Sequence, residues 1–232
     1  MPDDAKCEPA VQCCGVDAHY NDTLALDNVD LSIEPGTVTA VIGPNGSGKS
    51  TLFALMSGRI RPTAGTITTK GAVAEVLQGT TIDNQLPLTV DDIVRIGRYP
   101  TRGLLKPLRQ ADRNAIDDAL ERVDLTDLRN RPINELSGGQ RQRAFIAQGI
   151  AQEAPVLILD EPATGLDVNS QRHIIDIIKA EAADGRTVIF STHQLAEAAH
   201  ADTIIALACR CVCCAPAEMA IADPAVTALF AA

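Results

Sequence analysis

An α/β fold with a mostly parallel central sheet is the class this sequence predicts, and three observations carry the prediction. Short uninterrupted apolar runs at residues 37–42, 156–159 and 187–191 have the character of strands buried on both faces. Segments of helical periodicity alternate with them, and polar residues gather where the apolar runs end. The 232 residues are 46% hydrophobic and 22% charged, which is ordinary for a globular chain long enough to bury a core without staples.

The elements follow in order. Residues 1–10 read as a loose leader, and β character begins at 11–16 and 23–26. Val29, Leu31 and Ile33 then alternate until Glu34-Pro35-Gly36 stops the strand. Residues 37–42 run into a glycine-rich loop, and 50–57 read as a helix stopped at Gly58. Strand character returns over 67–77. Thr89 and Asp92 stand at capping-box spacing, and Ile93, Val94 and Ile96 at helical spacing. Residues 100–107 read as a loop. Residues 110–123 form an amphipathic helix with Ala111, Ile116, Ala119 and Leu120 along one side, and a short helical piece ends near Arg131-Pro132. Ser137 is placed to cap a helix running to Gln152. A strand over 156–159 ends in Asp160, followed by a helix over 169–182, a strand over 187–191, a helix over 194–199 and the last strands over 204–215. The tail beyond is Ala-rich.

Thirty acidic residues outnumber 20 Lys and Arg, a net charge of −10, and aromatics make up only 3%. Both features disfavour a nucleic-acid partner, which needs basic surface and stacking rings. They do not exclude a small anionic ligand held locally by backbone N–H groups. The start lacks a basic segment followed by an apolar run, and no window approaches 18 apolar residues, so neither a secretory signal nor a membrane span is expected. Seven cysteines, an odd number, argue for thiols in a reducing compartment.

The run Gly43-Pro44-Asn45-Gly46-Ser47-Gly48-Lys49-Ser50 has the spacing of a phosphate-binding loop, between a predicted strand and a predicted helix. Glycines let successive N–H groups turn toward phosphates, and the helix N-terminus adds positive dipole. Lys49 supplies a point charge to the β- and γ-phosphates of a nucleotide, and Ser50 an oxygen for Mg²⁺. Asp160 and Glu161 close a buried strand, at the end of an open sheet where such ligands sit. Asp160 is the expected Mg²⁺ partner, and Glu161 the base that polarises an attacking water.

Leu136-Ser137-Gly138-Gly139-Gln140 lies between the phosphate loop and the acidic strand end, and with it the sequence resembles the ATP-binding-cassette (ABC) ATPases over about residues 11–215. The resemblance implies a P-loop NTPase-type core with an N-terminal antiparallel β subdomain and an inserted α-helical subdomain. One domain would then span 1–232: core at about 11–82 and 136–215, helical subdomain at about 83–135, tail at 216–232. It also implies ATP and Mg²⁺ as ligands of residues 43–51, Thr51 included. Ser137 to Gln140 would close on the γ-phosphate held by a second subunit in a head-to-tail dimer, most simply a homodimer. Tyr20, which stands 23 residues before the loop, would stack on adenine, and Gln78 would reach Mg²⁺ and water. Gly165-Leu166-Asp167 would couple the two sites, and His193 would contact the γ-phosphate.

Lys49 and Ser137 are 88 residues apart, room for a compact lobe but not for a long coiled coil. That spacing speaks against the chromosome-maintenance relatives and for the ATPase subunit of a transporter with separate membrane permease subunits. The wording of 86–90, 96–100 and 136–148 is most similar to the metal-importing branch, zinc or manganese first, with iron–siderophore and haem importers close by. The place implied is the cytoplasmic face of the membrane, with an extracytoplasmic substrate-binding protein as a further partner. A soluble ABC ATPase without a membrane partner is the alternative. Three features depart from the family: Ala163 after Glu161-Pro162, Gln194 where Asp commonly follows the histidine, and Cys209, Cys211, Cys213 and Cys214 in place of a Gly-rich hairpin. On one strand Cys209, Cys211 and Cys213 would share a face, with Cys13 and Cys14 near. Thiol metal binding or redox sensing is one reading of the run, small buried hydrophobes the other.

Overall fold

In the computed structural model of the chain, residues 8–20, 23–77, 88–103 and 106–230 are described. β1 (Val11–Tyr20) and β2 (Thr23–Ile33) pair antiparallel, with irregular register near Val16 and Ala18. The two segments expected at 23–26 and 29–33 are one strand. Asn28 turns through φ 46° within it, and its N–H is taken by Asp17 Oδ1 at 2.7 Å. β3 (Val38–Ile42) is buried throughout and leads through the glycine loop into α1 (Lys49–Met56). The strand-like stretch at 67–77 divides between two sheets. β4 (Ala64–Thr69) pairs with β1, and β5 (Val73–Val76) joins the parallel sheet.

Three α-helices follow among the described residues. Thr89 caps α2 (Val90–Ile96) through the expected capping box, its hydroxyl accepting Asp92 N–H at 3.2 Å while Asp92 Oδ2 accepts Thr89 N–H at 3.0 Å. The Thr89 hydroxyl, donating to Asp92 Oδ2 at 2.6 Å, and then the Thr89 N–H hold the Asp92 carboxyl below the usual Asp range. Where a loop was expected, α3 (Tyr99–Arg102) makes one turn, with Pro100 in its first turn, where a missing N–H costs nothing. α4 (Gln110–Arg122) buries Ala115, Ile116, Ala119 and Leu120. Arg98 is buried and ties the region together, reaching Asp112 Oδ1 at 3.2 Å and Glu153 Oε2 at 2.7 Å.

α5 (Gly138–Ile150), β6 (Val156–Leu159), α6 (Val168–Ala183), β7 (Thr187–Thr192), α7 (Leu195–Ala198) and β8 (Thr203–Leu207) complete the alternation. β9 (Cys211–Pro216) turns back beside β8, and α8 (Ala217–Ala222) and α9 (Pro224–Ala228) occupy what read as a plain tail. The second sheet runs β5-β6-β7-β3-β8-β9, parallel except for the β8–β9 pair. Its strands alternate between two cores. Ala40, Ile42, Leu157, Leu159, Val188 and Phe190 face the helices. Val41, Val156, Ile158 and Ile189 face α1 and the antiparallel sheet. The predicted class, a parallel core with an N-terminal antiparallel sheet, is the class observed.

The cysteine run departs from its expected geometry. Cys213 pairs with Ala206 but Cys211 with Leu207, so Val212 is an extra residue that reverses the alternation. Cys211 therefore packs toward the core that holds Cys13, and Cys213 toward the other. Cys209 lies outside the strand, in a turn at φ 60°. Burial pushes the Cys13 thiol up to about 12 and Cys211 to about 11, which suppresses the reactive thiolate. No group of three or more metal-ligating side chains suited to an ion occurs among the described residues. Cys13 fits the reading as a small buried hydrophobe, while Cys209, Cys211 and Cys213 are half-buried and Cys14 and Cys214 are exposed.

Candidate active site

Residues 43–48 turn the chain from the end of β3 into α1, and glycine is obligatory at the last step. Gly48 takes φ 99°, and a Cβ there would meet Leu26 Cδ2 at 2.5 Å and the Ala25 carbonyl at 2.7 Å. The loop is buttressed from below, where Cys209 N–H donates to the Ser47 carbonyl at 2.9 Å. Lys49 is buried, and its Nζ donates to the carbonyls of Gly43 at 2.8 Å and Pro44 at 3.1 Å. Desolvation lowers its pKa, while Glu161 and Asp160 pull in the other direction. A cationic group is thus held at the mouth of a loop of N–H donors. The space in front of it, about 720 Å³, is bounded by residues 45–51, Ala25, Glu161 and His193.

The acidic pair arrives from β6. Parallel pairing sets Leu159 beside Phe190, which brings the next residues, Asp160 and Ser191, into contact. Ser191 Oγ donates to Asp160 Oδ1 at 2.6 Å and accepts Glu161 N–H at 2.8 Å. Ser50 Oγ donates to the other carboxylate oxygen of Asp160 at 3.2 Å. Two hard oxygen donors therefore meet beside the loop, a donor set that fits Mg²⁺. Glu161 adopts φ 48°, a left-handed conformation rare for a non-glycine residue, and its carboxylate accepts the Thr164 hydroxyl at 3.1 Å. His193 Nδ1 lies 3.8 Å from Glu161 Oε2 on the rim.

Ser137 caps α5 reciprocally, accepting Gln140 N–H at 3.2 Å and donating its own N–H to Gln140 Oε1 at 3.0 Å. Gly139 permits the close approach of α6, since a Cβ there would stand 2.4 Å from Ser170 Oγ. Asp167 caps α6, and its bonds to the Ser170 hydroxyl and N–H lower its pKa. None of residues 137–140 lines the cleft of the same chain. Tyr20 closes β1 opposite Thr23, on the hairpin whose β2 supplies Ala25 to the cleft. Gln78 lies outside the described residues. The structure thus brings together residues 43–51, Asp160, Glu161 and His193, and sets Ser137, Gly138, Gly139 and Gln140 elsewhere. Ser191 and Thr164 were not anticipated. A serine inside an apolar run beside an acidic strand end was the available signal.

A family model described as ABC transporter matches residues 26–164. The chain is 42% identical over 193 residues to the manganese transport system ATP-binding protein MntA of Synechocystis sp., covering 78% of this chain and 74% of that one. It is 38% identical over 218 residues to the manganese transport system ATP-binding protein MntB of Listeria monocytogenes, covering 90% and 91%. Among solved structures, a metal-chelate type ABC transporter in an inward-facing conformation superposes with a TM-score of 0.88 at 29% identity, over 97% of this chain and 89% of that one.

Proposed function

Because the chain belongs to the ABC transporter family, we propose that it is the ATP-hydrolysing subunit that powers import of a metal ion through separate membrane subunits. One observation carries the hydrolytic part: a buried lysine, two acidic residues and a histidine converge on a single glycine-loop cleft. The metal is read from the relatives, whose names are those of manganese transport proteins. Manganese is therefore preferred, and zinc, which the sequence resemblance places together with manganese, stands second. A chelated metal is the other reading, favoured by the similarity to the metal-chelate type transporter. On this assignment one ATPase domain spans the chain, with a helical subdomain at about 83–135 inserted in the core and a tail at 216–232.

The residues divide the work as follows. Backbone N–H groups of 45–51 and the Lys49 ammonium hold the phosphates of ATP. Ser50 and Asp160 would hold Mg²⁺, with Gln78 as a third oxygen, and the ion would neutralise phosphate charge. Glu161 takes the proton of the attacking water, and His193 donates a hydrogen bond to the γ-phosphate. Tyr20 stacks on the adenine. Residues 137–140 present a helix N-terminus away from their own cleft, which supports a head-to-tail pair in which each copy completes the other's site. Closure and reopening of that pair would drive the membrane subunits. No helix among the described residues is long and apolar enough to cross a membrane. Import on this reading runs through partner chains, which places the subunit on the cytoplasmic face, with a substrate-binding protein on the far side.

The test is Glu161→Gln, which keeps an oxygen to accept the Thr164 hydroxyl and loses the base. Turnover should fall by about 10²- to 10⁴-fold, and size-exclusion chromatography with ATP should show an accumulated dimer. Wild-type turnover in this variant removes Glu161 from the role of base.

A further inference from the structure

We propose that Glu197 is a positioning residue for hydrolysis, acting on His193 through Thr192; the inference rests on the role given to His193 above. Thr192 is the last residue of β7, fully buried and paired with Ile42, the residue directly before the glycine loop. Its hydroxyl donates to Glu197 Oε2 at 2.5 Å and accepts Gln194 N–H at 3.0 Å. The residues on both sides of His193 are thereby fastened to one oxygen atom, whose single proton is committed to the carboxylate. His193 itself keeps 46% of its side chain exposed and looks toward Glu161. A short loop with a fixed base and a free imidazole is the arrangement that sets where that ring points.

Folding alone does not favour a carboxylate at this place. Glu197 is 7% exposed, and its Oε1 has no hydrogen-bond partner among the described residues. Such burial costs desolvation free energy that an apolar side chain would avoid. The compensating contact is the charge-assisted bond from Thr192. The bond to the loop comes from the backbone N–H of Gln194, so the absence of the usual Asp at that position leaves this support intact.

The experiment compares steady-state ATP hydrolysis and fluorescent-nucleotide affinity of the purified chain with Glu197→Ala, Glu197→Gln, Thr192→Val, His193→Ala and the double variant His193→Ala/Glu197→Ala, each with a thermal melt. Glu197→Ala should lower kcat by about ten- to a hundredfold with KM nearly unchanged, the size expected for a misaligned catalytic group. Thr192→Val should reproduce that loss, and Glu197→Gln should recover most of it, since its amide oxygen still accepts the hydroxyl. In the His193→Ala background, Glu197→Ala should change nothing further. Should that background fall below detection, the His193 imidazole resonance is read instead; it should shift in Glu197→Ala and return in Glu197→Gln. Wild-type kcat in Glu197→Ala, no recovery by Gln, a full additional loss in the double variant, or an unmoved resonance each overturns the proposal. Wild-type turnover in His193→Ala removes the underlying role of His193, a result separate from these.

Discussion

Replacing Ser191 by alanine removes one oxygen on which two site residues depend. Its hydroxyl donates to Asp160 Oδ1 at 2.6 Å and accepts Glu161 N–H at 2.8 Å, and the residue is 0% exposed, so bulk water does not reach the position. The bond to a carboxylate contributes about 1.5–3 kcal/mol and the bond from the amide about 0.5–1.5 kcal/mol. Asp160 keeps its bond from Ser50 and its N–H bond to the Val76 carbonyl, which limits rearrangement and places the expected loss near 3 kcal/mol. For a chain of this length each kcal/mol moves Tm by about 2–4 °C, so the melt should drop by about 6–12 °C. Function should suffer more than binding. The Ser191 bond helps hold Glu161 at φ 48°, a conformation that costs about 1–3 kcal/mol and relaxes when unsupported. With Glu161 in its proposed role as base, its displacement should lower kcat by about ten- to a hundredfold. Circular-dichroism melts and a phosphate-release assay measure both quantities. A Tm within 2 °C of wild type together with unchanged kcat would refute the reasoning.

Three further expectations follow from the same geometry. Lys49→Ala should weaken ATP binding by about ten- to a hundredfold, the equivalent of about 1.5–3 kcal/mol of charge-assisted contact; unchanged affinity in a fluorescent-nucleotide titration would remove the loop from that role. Thr89→Ala should cost about 1 kcal/mol at pH 7 in urea unfolding by uncapping α2. Asp92, held below its unfolded value of 3.8 largely by the Thr89 hydroxyl, stabilises the fold fully above that pH and loses its contribution as pH falls through the folded value. The gap between wild type and Thr89→Ala should therefore narrow below pH 4, and a constant gap counts against the linkage. The double variant Cys211→Ser/Cys213→Ser should carry the same zinc as the parent by mass spectrometry, since the bulge sends the two thiols to different cores. A stoichiometric loss would restore the metal reading.

Much of the site was legible because its chemistry is local. Residues 43–50 carry their own turn and helix start, and Thr89/Asp92 and Ser137/Gln140 close capping boxes within four residues. The uninterrupted apolar runs at β3, β6 and β7 announced strands buried on both sides. The helices after residue 216 were not legible. α8 and α9 have six and five residues, too short to stand on propensity, and their hold comes from burying Ala217, Ala220 and Val226 against the core. The single extra residue at Val212 likewise leaves no mark in a run of cysteines and is seen only in the pairing with β8.

By itself, then, the sequence determined the α/β class, the glycine loop with Lys49, the acidic pair at 160 and 161, and the capped helix at Ser137. Each depends on bonds or steric limits between residues near one another in the chain. The tertiary structure alone decided the strand order, the pairing that brings Ser191 to Asp160, the fastening of the His193 loop by Thr192 and Glu197, and the separation of residues 137–140 from their own cleft. Those depend on which distant segments share a sheet, and that choice is made by burying both faces of the sheet together rather than by any local pattern.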